Sequence, residues 1–297
     1  MNKSLTIKRL LLFLFVSFAL VWGMMMIYFV NGGEYGTPAM DFILACSMLC
    51  PTIAVLFTRW ITKEGILLVG KNSLQLGIEL KKKKWVWYLF ALVLPILYWD
   101  LGQLFFFLFF PETFDPSGFD QLGISRKALI LLPFAGIVSG SVFSIGALGE
   151  EIGWRTYLYP KLEELFGTKT AVIVGGIIWG VWHVPAIVKG HGFGTGYWGE
   201  PWTGVFVFTV SCIAEGAFLY LVTKKTNSVW PAAFLHAINN AGGRAFGLCL
   251  NTDALTGIWA ESTVQMLISE VPKLIMAVIA TVMCNCSEPS NFIRNMR

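Results

Sequence analysis

The sequence predicts an all-α, polytopic transmembrane bundle of about eight helices around a polar intramembrane cavity. Three observations predict it. The 297 residues are 56% hydrophobic with a mean hydropathy of +0.66, and only 13% are charged. A soluble domain carries about 25% charged residues, so this chain lacks the polar groups to cover itself in water. Its apolar residues gather in runs of about 20, the length that crosses a hydrocarbon core as a helix. Its cations are distributed unevenly between the segments that alternate with those runs.

In chain order the runs are 10–30, 38–60, 85–110, 128–148, 169–189, 201–223, 229–250 and 263–283. The first is too long for a secretory signal, lacks a small-residue cleavage site and continues into further spans, so it reads as a retained helix. The second ends at Arg59 and Trp60. Residues 65–80, mixed in character, read either as an amphipathic piece along the membrane face or as an ordinary loop. Lys81, Lys82, Lys83 and Lys84 follow as a cytoplasmic flank, and Trp85, Trp87 and Tyr88 open the third run as an interfacial belt. The fourth run extends past 148 towards Pro160. Pro185 interrupts the fifth just beyond His183. Trp198 and Trp202 introduce the sixth, and Trp230 the seventh. The runs are continuous rather than alternating, which excludes a β-barrel. One membrane domain spans 1–297.

With the N-terminus inside, seventeen cations fall in inner segments and three (Arg126, Lys127, Lys189) in outer ones, while Arg244 and Lys273 lie within spans. Both termini are therefore expected in the cytoplasm. The net charge is +4 without a basic block of nucleic-acid type. The six cysteines (Cys46, Cys50, Cys212, Cys249, Cys284, Cys286) have no disulfide or zinc-ribbon spacing and read as small packing residues.

Polar residues in lipid are costly and point to function. The candidates are Asp41, Asp100, Glu150, Glu151, Arg155, His183, Glu215, His236, Asn239, Asn240, Arg244 and Lys273. Glu151 and Arg155 are four apart and face each other on a helix. Glu150 points about 100° away, without that partner. Trp179 and His183 share one helical face, and His236 and Asn240 another. Counted from the inner ends, Glu150 lies about 15 Å deep, His236 about 10 Å and His183 about 20 Å, so the three sets converge on one cavity open to the cytoplasm. A carboxylate, two imidazoles and a carboxamide there make a hydrolytic site.

These motifs resemble those of the CPBP family of intramembrane proteases, also called the Abi or CAAX-protease-like family. EExxxR stands as Glu150-Glu151-x-x-x-Arg155, the aromatic-xxxH motif as Trp179-x-x-x-His183, and HxxxN as His236-x-x-x-Asn240. The family's second motif more often has Phe, and Gly often follows its arginine; Trp179 and Thr156 stand there in this chain. The resemblance covers a core of about 128–250. It implies that Glu150 with His183 activates a water, that His236 and Asn240 hold the oxyanion, and that Glu151 and Arg155 support them.

The cofactor is left open. HExxH is absent, yet Glu150, His183 and His236 would supply a three-ligand zinc site with Glu151 as base. In the scheme without metal, Glu150 is itself the base. The expected partners are the bilayer and a membrane-associated peptide or lipidated protein, not nucleic acid, and the expected setting is a bacterial plasma membrane. Two other classes remain: a non-catalytic scaffold or bacteriocin-immunity-type binding protein, and a transporter using Asp100, Glu215 and Arg244.

Overall fold

A computed structural model describes residues 3–70, 72–123, 131–241 and 245–286. Apolar runs become helices because hydrocarbon cannot satisfy open backbone groups. The helices are α1 (Lys3–Val30), α2 (Pro38–Ser47), α3 (Cys50–Ile61), α4 (Trp85–Phe109), α5 (Leu132–Gly153), α6 (Tyr159–Phe166), α7 (Thr168–Trp182), α8 (Val184–Ile187), α9 (Trp202–Thr226), α10 (Trp230–Ala241), α11 (Ser262–Ser269) and α12 (Val271–Cys286). The described residues contain no strand, only an isolated bridge between Phe114 and Leu250. The chain is an all-α polytopic bundle.

All eight expected runs are at least partly helical, but they differ in reach. Five stretches are long and apolar enough to cross a membrane: Lys3–Val30, Pro38–Ile61, Trp85–Phe109, Leu132–Phe166 and Trp202–Thr226. A sixth, α11 with α12, qualifies as a pair bent by 45°. The bend falls just before Pro272, whose ring disfavours helical backbone at the preceding residue. The other two runs are shorter among the described residues. α7 has 15 residues and stops at Trp182 because Pro185 cannot continue its hydrogen-bond ladder. α10 has 12 residues, a length of about 18 Å.

α9 is the central helix: 67% of its most apolar window is buried, against 28–33% in the other four spanning stretches. α7 and α12 pack on it, while α10 lies between α4 and α5. Close approach depends on two glycines. A Cβ on Gly140 of α5 would stand 2.5 Å from Ile238 Cα of α10, and one on Gly176 of α7 would stand 2.4 Å from Ile213 Cα of α9. Small residues at crossings let membrane helices pack by direct backbone contact. α1 buries Leu10, Phe13, Ser17, Val21 and Met25 as one stripe and turns Leu11, Phe15 and Ile27 outward.

The described residues of 65–80 contain no helix and run as a loop. Leu74 is buried, Arg59 donates to the carbonyls of Gly65 and Asn72, and Trp230 Nε1 donates to that of Leu76. Beside this loop, Glu64 joins α1, α3 and α6: it accepts from Lys161 at 2.6 Å and Tyr157 at 2.9 Å, with Arg9 at 3.5 Å. Burial favours a neutral Glu64, but the Lys161 ammonium and the phenol outweigh it and hold the carboxyl below its ordinary value. A depressed pKa gives stability that is present above the unfolded value, about 4.3, and lost as pH falls through the folded one. Glu64→Gln is expected to cost about 1.5–3 kcal/mol at pH 7. Thermal unfolding in detergent from pH 7 to pH 3 checks it, since the variant should have the shallower loss on acidification.

The described cysteines Cys46, Cys50, Cys212, Cys249 and Cys284 are free, as packing residues would be. The side chain of Cys286 lies outside the described residues, as do Lys71, Arg126, Lys127, Arg244, Arg294 and Arg297.

Candidate active site

The site starts at the inner end of α5. Thr52 of α3 donates to the Gly149 carbonyl at 2.6 Å and pins the helix where the two glutamates begin. Helical structure continues past Gly153, but Trp154–Leu158 widens into a π turn in which the Tyr159 N–H reaches back to the Trp154 carbonyl. Such single widened turns cluster at functional sites. All five of its residues are buried. Phe13 of α1 and Trp182 of α7 lie edge-on to Trp154 at 5.7 and 5.8 Å.

Glu151 and Arg155 face each other as their spacing predicts, with Nε 3.1 Å from Oε2 and both side chains fully buried. The contact is ionic rather than an aligned hydrogen bond, and the guanidinium nitrogens make no hydrogen bond. The cation instead lies against the faces of Trp179 at 4.4 Å and Tyr159 at 4.7 Å, an arrangement that stabilises a desolvated guanidinium. The other Glu151 oxygen meets His236 Nδ1 at 2.9 Å. Glu151 therefore ties α5 to α10.

Glu150 is buried, and its Oε2 accepts from Trp179 Nε1 at 2.8 Å and Trp154 Nε1 at 3.2 Å. An indole only donates, so this oxygen is engaged and Oε1 is the one left to hold a water. His183 Nδ1 meets the Trp179 carbonyl at 2.8 Å. A carbonyl only accepts, so Nδ1 carries the proton and neutral His183 presents a bare Nε2. His236 lies edge-on to the Trp179 ring at 5.3 Å. Glu150, His183, His236 and Arg155 thus surround one tryptophan. Among the described residues neither histidine hydrogen-bonds Glu150 directly. Asn240 is exposed one turn beyond His236 on α10.

Three of these contacts were not legible in the motifs. Trp154 is four residues past Glu150, a spacing that flags it, whereas nothing local marks Trp179 as a donor to a residue 29 positions away. The third histidine, His191, stacks parallel to His183 at 6.1 Å, and its Nδ1 lies 2.7 Å from Tyr35 Oη. Trp179→Phe keeps a ring for Arg155 and His236 and deletes the N–H on Glu150. It is expected to cost about 1.5–3 kcal/mol of stability, the worth of a hydrogen bond to a charged group. Turnover should stay within about tenfold of wild type, because Trp154 keeps its grip. Unfolding and steady-state kinetics on the purified variant check both.

Several depth-based expectations change. Asp41 is exposed in the first turn of α2, where a carboxylate complements the helix dipole. Asp100 accepts from the Phe246 N–H at 3.3 Å. Glu215 faces Lys273 at 3.8 Å, so these two intraspan charges pair between α9 and α12. Among the described residues no three His, Cys, Asp or Glu side chains come together as a metal-holding group. Glu150 Oε2 and the Nδ1 atoms of His183 and His236 are engaged with protein partners. Their other donors, Glu150 Oε1 and the two Nε2 atoms, are the ones a three-ligand zinc site would use, since a metal-bound imidazole holds its second nitrogen on a carbonyl or carboxylate as these do; no chemical step is routed through a metal.

Comparison with known proteins adds two findings. Residues 128–242 match the family described as type II CAAX prenyl endopeptidase Rce1-like. A protein of Methanococcus maripaludis named CAAX prenyl protease 2 is 25% identical over 155 residues, covering 46% of this chain and 57% of the relative's length. Both support the kinship that the three motifs carry.

Proposed function

From the premise that the helices bearing the three motifs are those of the CPBP family, we propose that the protein is an intramembrane endopeptidase acting on membrane-associated or lipidated, CAAX-type substrates. The observation that carries this reading is the convergence of Glu150, His183 and His236 on Trp179. Glu150 Oε1 takes a proton from a water whose oxygen attacks the scissile carbonyl carbon. His183 Nε2 accepts the water's other hydrogen and so orients it. His236, as an imidazolium whose Nδ1–H is held by Glu151, donates its Nε2–H to the carbonyl oxygen. Asn240 offers it an amide N–H. The proton on Glu150 then passes to the departing amine as the C–N bond breaks. Donors aimed at a developing oxyanion are worth about 3–4 kcal/mol each. Arg155 balances Glu151 and acts through it. The cation distribution favours both termini on the cytoplasmic side.

Incubation of the purified protein with a quenched prenylated CAAX peptide and a mixed peptide library, with and without a zinc chelator, tests the reading. Cleavage insensitive to chelator is expected. Loss under chelator would bring a metal into the mechanism. No cleavage of either substrate by folded protein would replace the protease with the scaffold or immunity-type binding protein.

A further inference from the structure

A carboxamide at an oxyanion site works in only one orientation. Its N–H2 stabilises the negative oxygen, and its own carbonyl oxygen repels it. Nothing in HxxxN decides which end of Asn240 faces the substrate, but the preceding residue does. Asn239 Oδ1 accepts from Trp99 Nε1 at 2.8 Å and from Tyr98 Oη at 2.7 Å. The indole N–H is donor-only, so the atom it meets must be the oxygen of Asn239. That turns the Asn239 amide nitrogen, also donor-only, towards Asn240 at 3.3 Å, where it meets Oδ1. The N–H2 of Asn240 is then the end left for the exposed side.

The two aromatic donors are themselves braced. Lys273 Nζ lies 4.9 Å from the Tyr98 ring centre and 5.4 Å from that of Trp99. This buried ammonium is held by Ser211 at 2.8 Å, Glu270 at 3.3 Å and Glu215 at 3.8 Å. We infer that Tyr98, Trp99 and Asn239 are positioning residues that set the polarity of the Asn240 amide, with the Lys273 cluster bracing the two rings from behind. The inference rests on the protease reading, in which Asn240 donates to the oxyanion.

The test uses the full-length protein and the quenched prenylated CAAX peptide. Asn239→Asp has the same shape and still accepts from Tyr98 and Trp99, but it offers Asn240 an oxygen. Asn240 must then donate backwards and present its carbonyl to the substrate. Its kcat is expected to fall about 100-fold, as for Asn240→Ala, with KM within about twofold. Combining Asn239→Asp with Asn240→Ala should add no further loss, because both remove one interaction. Asn239→Leu deletes every hydrogen bond but imposes no wrong orientation. A free amide spends about half its time each way, so kcat should fall only about twofold.

A merely structural role for Asn239 reverses that order, since Leu loses more bonds than Asp. Leu as harmful as Asp in folded protein, wild-type kcat for Asp, or additive losses in the double variant would each overturn the inference while the protease reading stands. If Asp fails to fold, a 100-fold loss in folded Leu still overturns it, and near wild-type turnover supports it. Wild-type protein that cleaves nothing overturns the protease reading, and the role of Asn240 with it.

Discussion

Glu150→Gln is expected to lower kcat on a prenylated peptide about 1,000-fold, the scale on which a positioned general base acts, with the fold intact. Glutamine fills the same volume, and its orientation is dictated by the neighbours. The indoles of Trp179 and Trp154 only donate, so the new carbonyl oxygen must take the place of Oε2. The NH2 group then occupies the position of Oε1, where it can neither accept a proton nor hold a water by its hydrogen. Binding is left alone, so KM should barely move. Steady-state kinetics beside an unfolding curve make the measurement. A variant that keeps a tenth of wild-type turnover would remove Glu150 from the role of base.

Arg155→Met is expected to have the largest effect on stability, about 3–5 kcal/mol, the cost of leaving a buried charge without its partner. Glu151 and Arg155 are both fully buried, and water cannot compensate for the missing cation. Methionine fills much of the space between Trp179 and Tyr159, so little of the loss is attributable to a cavity. The double variant Glu151→Gln/Arg155→Met should recover a large part of the stability, because it removes the stranded charge. It should not recover activity, since a neutral amide grips His236 Nδ1 less firmly than a carboxylate does. Thermal unfolding of the three proteins in one detergent decides it. A single variant as stable as wild type would mean that Glu151 is served by His236 alone.

The fold class was legible because lipid imposes a strong rule on apolar runs, and the Glu151–Arg155 pair was legible because it is local to one helix. Helix length was legible where a proline marks it: α7 stops beside His183, where Pro185 predicts an interruption that hydropathy alone does not record. Long-range polar partners were the least accessible. Lys273 is 58 residues from Glu215, and Tyr98 is 141 from Asn239. Such pairs are set by which helices touch, and an apolar sequence does not specify that order. The Trp179 departure from the usual Phe was visible, but its meaning required the Glu150 carboxylate to be in place beside it.

The π turn at Trp154–Leu158 has a consequence for insertions and deletions. A widened turn is an α-helix carrying one surplus residue, so removing one residue there would restore regular geometry and keep the chain helical. Because the wide turn spends that surplus within one rotation, the helix beyond it keeps nearly the same phase with or without it. Tyr159 shows where that phase is needed: its side chain is lodged where Gly175 of α7 and Gly216 of α9 leave room, with added Cβ atoms falling 2.4 and 2.2 Å from it. A residue inserted between Leu158 and Tyr159 and absorbed as ordinary helix would instead carry that side chain about 100° round the axis, into helix backbone and off one face of Arg155. Length just past the turn is therefore under stricter constraint than length within it.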